Sequence, residues 1–278
     1  MKRTSSELKR IARENLRGHY ALPIGATLVA GLITSAVLTP FNLIYQFNQT
    51  DSNLIIYYIA SMIISLVSIV LSCGVLRIHL KLARREAPAF SDLFYYFTRR
   101  PDRFLLEGLL LIAVSLACML PGAVCLIAGI YMLSVPLTAL GVILFLAGTV
   151  AAVILSLALN FVFLLLMDHD SMSVMEAFHT SLRLMAGNKG RLFYIQLSFL
   201  GWVLLAVLSC GIGMLWLSPY MNQTTVEFYR DITGELDKKN SAYEDAQYDK
   251  DTQYDKDAQY DKDAQNDKDA QYYEDRTF

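Results

Sequence analysis

Charged residues are scarce in this chain, and four long stretches have none at all. Asp, Glu, Lys and Arg make up 18% of the 278 residues, whereas a soluble domain has about 25%. The four uncharged stretches, which are mostly apolar, are 18–50, 54–76, 108–167 and 192–226. A membrane-spanning helix needs about 20 apolar residues to cross roughly 30 Å of hydrocarbon, so these stretches exclude an ordinary soluble protein. They predict an all-α, polytopic transmembrane helix bundle in the cell membrane.

The length of each uncharged stretch indicates how often the chain crosses the membrane. The first two stretches predict one span each. Sixty helical residues reach about 90 Å, so 108–167 must turn. We predict that turn at Ser134–Pro136, because proline disfavours helix in the residue before it, and we predict a structural kink at Pro121. The last stretch is either one long helix or a hairpin that turns at Cys210–Gly213, so five spans and about six spans both remain open.

The distribution of Lys and Arg predicts the orientation of the chain. Residues 1–19 hold six, 77–103 hold seven and 168–191 hold three, whereas 46–53 and 131–136 hold none. Because cytoplasmic loops carry an excess of Lys and Arg, we expect the N-terminus in the cytoplasm. Three more follow the last apolar stretch, at Arg230, Lys238 and Lys239, and they favour six spans with a cytoplasmic C-terminus.

The chain has few cysteines, and several common catalytic motifs do not occur in it. The four cysteines all lie in apolar stretches, where free cysteine behaves as a small hydrophobic residue. No HExxH, GxSxG or phosphate-binding loop occurs, so we expect no enzyme activity, no cofactor and no nucleic-acid partner. Asp168 and Asp170 flank a histidine and are a possible cation site, but the end of a polar helix is the favoured interpretation, and we expect no metal.

Three short amphipathic segments precede the apolar stretches and are predicted to lie on the cytoplasmic side. The first begins at a capping box formed by Thr4 and Glu7. The second has Ser91 as a candidate N-cap, an apolar face and Pro101 as its stop; the face consists of Phe90, Leu93, Phe94 and Phe97. The third begins at Ser173 and ends at Gly187, a candidate structural turn that suits a left-handed helix stop. The pattern predicts three units, 1–81, 82–168 and 169–233, within one membrane domain, 1–240.

Two interpretations of these segments remain open, namely connectors between spans or helices that bind anionic lipid or a partner protein. Basic residues beside the spans are the candidate contacts for lipid headgroups; they are Lys189, Arg191, Arg99, Arg100 and Arg103. Pro219 is a candidate structural turn in the last apolar stretch. Glu227, beyond it, is either a functional intramembrane carboxylate or a residue at the cytoplasmic end of a helix near Arg230.

From Ser241 to Phe278 the composition changes to a six-residue repeat of the type YDKDAQ, with twelve acids and five Lys or Arg. Such a segment cannot bury enough apolar surface to fold. We predict a disordered acidic tail.

The segments AFHTSLRLMAGNKGRLFYIQLSFLGWVLL and CGIGMLWLSPYMNQTTVEFY resemble the C-terminal pattern of the domain of unknown function 975 family, a bacterial family of integral membrane proteins. ELKRIARENLRGHY resembles the N-terminal motif of that family, and LPG its central break. The chain departs from the family by its extra apolar length after Leu120–Gly122 and by the repeat tail. The resemblance implies an integral membrane protein and no particular chemistry.

Two classes of function are compatible with these features. The favoured one is a non-catalytic membrane module that binds membrane lipid or a partner protein through its basic cytoplasmic helices. The alternative is a small-solute transporter or channel, which usually carries ionisable residues or broken helices at mid-membrane.

Overall fold

A computed structural model describes residues 2–237, so the predicted tail lies outside the described residues. Residues Lys2–Ile232 form one compact unit, and residues 233–237 lie outside it. Between residues 2 and 237 the chain is helical and contains no strand, which confirms the predicted all-α fold.

The unit contains α-helices and one 3₁₀ helix. In chain order they are α1 (Ser5–Leu16), α2 (Ala21–Phe47), α3 (Asp51–Arg84), the 3₁₀ helix (Phe90–Phe94), α4 (Tyr95–Thr98), α5 (Pro101–Tyr131), α6 (Val135–Leu159), α7 (Val162–Asp168), α8 (Val174–Leu184), α9 (Lys189–Leu197), α10 (Leu200–Leu208) and α11 (Met214–Ile232).

Five helical stretches in the described part are long and apolar enough to cross a membrane. They are α2, α3, α5, the pair α6–α7 and the pair α9–α10. In the most apolar 18-residue segment of α5, only 6% of the residues are buried inside the protein. A surface this apolar would be unstable in water, and it fits a lipid environment.

The expected sixth span corresponds to α11, which is not among these five stretches. Its second half carries too many polar and charged residues, including Gln223, Glu227, Arg230 and Asp231. The last apolar stretch does fold as a hairpin, with its turn where Cys210 and Gly211 have φ of +53° and +84°. Of the two alternatives left open by the sequence, the hairpin is therefore the observed one.

Two long hairpins form most of the apolar body. In the first, α2 packs against α3 around a buried cluster that includes Ala26, Leu71 and Ile78. In the second, glycines allow α5 and α6 to approach closely: a Cβ on Gly122 would lie 2.3 Å from the backbone of Phe145, and a Cβ on Gly148 would lie 2.2 Å from the carbonyl oxygen of Cys118. Small residues at a helix interface are typical of packing in membranes.

The helix boundaries confirm most of the predicted signals. Thr4 and Glu7 form both halves of the capping box of α1, and the Ser173 side chain accepts a hydrogen bond from the Glu176 N–H at the start of α8. The long apolar stretch turns at 132–134, before Pro136.

The prediction that Ser91 is the N-cap of the second amphipathic segment is wrong. The helix start lies two residues earlier, because the Asp92 carboxylate accepts a hydrogen bond from the Ala89 N–H at 2.8 Å. Ser91 therefore lies inside the 3₁₀ helix, and this segment is a 3₁₀ helix followed by the single α-turn of α4. The division into three units stays a prediction.

Candidate functional site

Ion pairs and buried hydrogen bonds concentrate at one end of the compact unit. At this end α3, α7 and α11 finish, and α5 and α9 begin. We call it the charged end.

The centre of the charged end is Glu227 on α11, whose carboxylate is fully buried. It accepts hydrogen bonds from Arg230 at 2.9 Å, from Asn15 of α1 at 2.7 Å and from Gln223 at 3.1 Å. Gln223 in turn lies 2.9 Å from Nδ1 of the buried His79 on α3. Burying a carboxylate is costly unless hydrogen bonds and an opposite charge compensate for the lost water, and these three donors supply both. The Glu227 carboxylate thus connects α1 to α11 directly, and Gln223 connects it to α3.

A second carboxylate of α11, Asp231, connects the first and last parts of the unit. It accepts hydrogen bonds from Arg191 at 2.8 Å and from Arg3 at 3.3 Å. The guanidinium of Arg191 also donates to the Arg3 carbonyl oxygen at 2.6 Å and lies 5.1 Å from the centroid of the Phe228 ring. The start of α9 and Arg3, two residues before α1, are therefore held against the end of α11.

The Asp168–Asp170 motif forms a helix end that is bound by arginines. Asp168 accepts two hydrogen bonds from Arg84, at 2.7 and 2.9 Å, and one from the Tyr229 hydroxyl at 2.8 Å. The Asp170 carbonyl oxygen accepts hydrogen bonds from Arg100 and Arg103, each at 3.0 Å. No group of three or more potential metal ligands lies together in residues 2–237.

Asp92 attaches the 3₁₀ helix to the end of α3. Its carboxylate is 2.8 Å from Lys81 and 3.1 Å from Arg77. Burial opposes ionisation of Asp92, but the Ala89 N–H and the two cations outweigh it, so the pKa of Asp92 is lowered. Beside it, burial raises the pKa of the Tyr96 hydroxyl to about 12.

The five candidate lipid contacts have different environments. Arg191 is bound to Asp231, and Arg103 is buried and donates to the carbonyl oxygens of His169, Asp170 and Met172. Arg99 and Arg100 are exposed, and Lys189 is half-buried. The structure brings Arg99, Arg100 and Arg103 together at the start of α5, but Lys189 and Arg191 lie at the start of α9.

The three candidate structural turns also differ from one another. Gly187 has φ of +76° and lies between α8 and α9. Pro121 and Pro219 both lie inside continuous helices, α5 and α11. Pro121 is followed by Gly122, where α6 makes its close approach.

The amphipathic segments use their apolar faces in two ways. The face of α1 is buried against other helices at Leu8, Ala12 and Leu16, and the face of α8 is buried at Val174, Ala177 and Phe178. In contrast, three phenylalanines of the second segment are exposed by 40–42%; they are Phe90, Phe94 and Phe97. The second segment therefore leaves its phenylalanines partly exposed, whereas these residues of α1 and α8 are buried.

Asp92, Asp231 and Asn15 were not singled out from the sequence. Asp231 follows Glu227 by one helical turn, so the two carboxylates lie on the same face of α11. This spacing could have identified Asp231 from the sequence. Asp92 is one of three acids among the seven basic residues of 77–103. Asn15 has no local sequence signal, because its partner is more than two hundred residues away.

The model of the family described as "Protein of unknown function (DUF975)" matches residues 1–235. Comparisons with curated proteins and with solved structures found no match. The family match covers all of the helices described above and ends before the repeat tail. The chain therefore belongs to the DUF975 family, as the resemblance of its N- and C-terminal motifs indicated.

Proposed function

We propose that this protein is a non-catalytic module of the cell membrane that binds anionic lipid through the segment Phe90–Arg100 at its charged end, which faces the cytoplasm. The observation that supports this proposal is the exposed phenylalanine face of that segment.

The face consists of three aromatic rings in a row. The rings of Phe90 and Phe94 are 6.4 Å apart, and those of Phe94 and Phe97 are 6.2 Å apart. The buried residues Leu93 and Tyr96 hold the segment against the rest of the unit, so Leu93, which the sequence pattern grouped with the phenylalanines, is not part of the exposed face. These partly exposed rings lie between the end of α3 and the start of α5. Aromatic side chains beside the ends of spans commonly insert at the level of lipid headgroups.

Two exposed cations follow the aromatic face. Arg99 lies 5.6 Å from the Tyr95 ring, and Arg100 donates to the Asp170 carbonyl oxygen. Neither has a carboxylate partner in the described part of the chain. A basic residue near an anionic leaflet contributes about 1 kcal/mol of attraction, so this pair supports a preference for anionic lipid.

A single tryptophan at Phe94 tests the proposal. In a chain whose two tryptophans are replaced by Phe, Phe94→Trp should be quenched by lipids brominated near the acyl carbonyl, and more strongly by phosphatidylglycerol than by phosphatidylcholine. Arg99→Gln/Arg100→Gln should remove the preference. Quenching by acrylamide in water without any effect of brominated lipid would contradict the proposal and would leave a partner protein as the occupant of this face.

A transporter is the second candidate, and two separate observations favour it. Both carboxylate oxygens of Glu107 on α5 are buried without a hydrogen-bond partner in the described part of the chain. A cavity of about 430 Å³ lies between α2, α3, α7 and α11 and is lined by several hydroxyl groups and Asn222. Ion or solute flux in proteoliposomes that is lost in Glu107→Gln would support transport; no flux above that of empty vesicles would exclude it for the solutes tested.

A further inference from the structure

A groove between α1, α10 and α11 combines apolar walls with two cations. Its volume is about 640 Å³, within the range of roughly 300–1,000 Å³ typical of small-molecule sites. Trp202 of α10 and Trp216 and Leu217 of α11 line its apolar part, and Lys9 and Arg13 of α1 line the rest. We call it the α1–α11 groove. It lies outside the Phe90–Arg100 segment.

The polar and apolar parts of the groove lie at different levels of the α10–α11 hairpin. Close to the turn the hairpin is closed, because a Cβ on Gly213 would lie 2.8 Å from the Cα of Ala206. Farther from the turn, the rings of Phe199 and Tyr220 meet edge to face, with centroids 5.2 Å apart. The tryptophans lie between these two levels in sequence, so the apolar part of the groove is nearer to the turn.

Each cation lies over one ring of the aromatic pair. The Lys9 ammonium is 4.2 Å from the centroid of the Phe199 ring, and the Arg13 guanidinium is 5.8 Å from that of Tyr220. Lys9 also donates a hydrogen bond to the Ser198 hydroxyl. These contacts fix both cations at the same end of the groove.

Neither cation is neutralised within the described residues. The ion pairs of residues 2–237 involve neither Lys9 nor Arg13. Burial lowers the pKa of Lys9, and the nearby Arg13 lowers it further. An anion bound here would relieve this repulsion and supply the missing charge.

We infer that the α1–α11 groove binds one anionic phospholipid from the surrounding membrane, with its phosphate between Lys9 and Arg13 and an acyl chain along Trp202 and Trp216. Charge complementarity favours the anionic headgroup, and the apolar walls favour the chain. The inference rests on the proposed lipid-binding function and adds to it a defined site with different residues.

Intrinsic fluorescence tests the inference directly, because Trp202 and Trp216 are the two tryptophans of the chain. The full chain, purified in detergent, is titrated with phosphatidylglycerol brominated in its acyl chains and, separately, with equally brominated phosphatidylcholine. The tryptophans are 61% and 55% exposed, so both lipids should quench to some extent. We expect phosphatidylglycerol to reach half-maximal quenching at a concentration lower by roughly tenfold to thirtyfold.

Matched variants of α1 identify the cause of that difference. Lys9→Gln/Arg13→Gln should shift the phosphatidylglycerol titration by roughly tenfold to thirtyfold, from about 1 kcal/mol for each basic residue. Arg10→Gln/Arg17→Gln removes the same charge from exposed positions of α1 or its end and should leave the titration unchanged. Lys9→Arg/Arg13→Lys should keep the preference.

Equal quenching of the wild-type chain by the two lipids would overturn the inference. An equal shift of the phosphatidylglycerol titration in the two double Gln variants would overturn it as well. The proposed function is measured separately, by the Phe94→Trp variant, so it would stand if only the groove titration failed. A Phe94→Trp variant that is insensitive to lipid, together with selective quenching of Trp202 and Trp216, would retain the groove and exclude the Phe90–Arg100 segment.

Discussion

The Asp231 carboxylate accepts a hydrogen bond from Arg191 at 2.8 Å, forty residues earlier in the chain. Arg191 lies at the start of α9 and Asp231 at the end of α11, so the chain between them leaves the charged end and returns to it. The chain from α9 to α11 therefore begins and ends at the charged end, and a sixth crossing by α11 stays a prediction. This path agrees with the pattern of basic segments, which favours both termini on one side.

Two basic residues at the start of α9 should differ in their contribution to stability. Arg191→Gln leaves the buried Asp231 with one fewer charged donor, and the loss of such a hydrogen bond costs about 1–3 kcal/mol. Lys189→Gln removes a half-buried cation that has no ion pair in the described chain, so it should change stability by less than about 0.5 kcal/mol. Thermal melts in detergent compare the two variants. Equal melting temperatures would contradict the role assigned to Asp231.

The Glu227–Arg230 pair should behave as a coupled unit. Their side chains are 0% and 3% exposed, and breaking a buried pair by removing one partner costs about 3–5 kcal/mol. Glu227→Gln and Arg230→Met should each destabilise the protein strongly, whereas the double variant should lose less than the sum of the two. A double-mutant cycle of melts measures this coupling, and strict additivity would show that the pair contributes no coupling.

Asp92 should make stability depend on pH in the acid range. Its pKa is lowered in the folded protein, so its contribution is present above the unfolded pKa of about 3.9 and is lost as the pH falls through the folded value. Asp92→Asn should therefore lower the melting temperature at pH 7, and the deficit should shrink below about pH 4. The measurement is a series of melts of both proteins from about pH 7 down to about pH 3.5, which brackets the unfolded pKa. A deficit that stays constant over this range would contradict the ionic role of Asp92.

The close contact of α5 and α6 should not tolerate a side chain at Gly148. An added Cβ would meet the Cys118 carbonyl oxygen at 2.2 Å, and overpacking of this kind costs about 1–3 kcal/mol. Gly201 on α10 is the matched control, since nothing lies within 4 Å of its Cβ position. Gly201→Ala should be neutral or slightly stabilising, because Ala is the better helix former. If Gly148→Ala melts at the wild-type temperature, the two helices do not pack at this position as described.

The sequence predicted the helices better than it predicted their contacts. Uncharged stretches and caps are local signals, so the spans, the capping box at Thr4 and the turn before Pro136 could all be inferred from neighbouring residues. Glu227 could be singled out because a carboxylate beside an apolar stretch is rare. Its partner Asn15 could not, because the pairing depends on how α1 crosses α11.

The basic residues show that composition does not reveal which cations are bound within the protein. Arg191 and Arg103 follow the same positive pattern as Arg99 and Arg100, yet they are bound to a carboxylate and to a helix end within the protein. Lys9 and Arg13, which the sequence did not separate from the other cations of α1, are the ones that line a groove. Only tertiary packing distinguishes cations that stabilise the fold from cations that remain available to a ligand.

The accessibility of single cysteines tests the central claim, that the charged end faces the cytoplasm with its lipid-binding segment. In a chain whose four native cysteines are replaced by alanine, Gln49→Cys and Met132→Cys lie at the opposite end of the α2–α3 and α5–α6 hairpins, and Ser6→Cys and Ser91→Cys lie in α1 and in the 3₁₀ helix. With a membrane-impermeant maleimide, the first two should be labelled in intact cells and the last two only after permeabilisation. Labelling of Ser91→Cys in intact cells would contradict the account, because Phe90–Arg100 would then lie on the side away from the cytoplasmic leaflet.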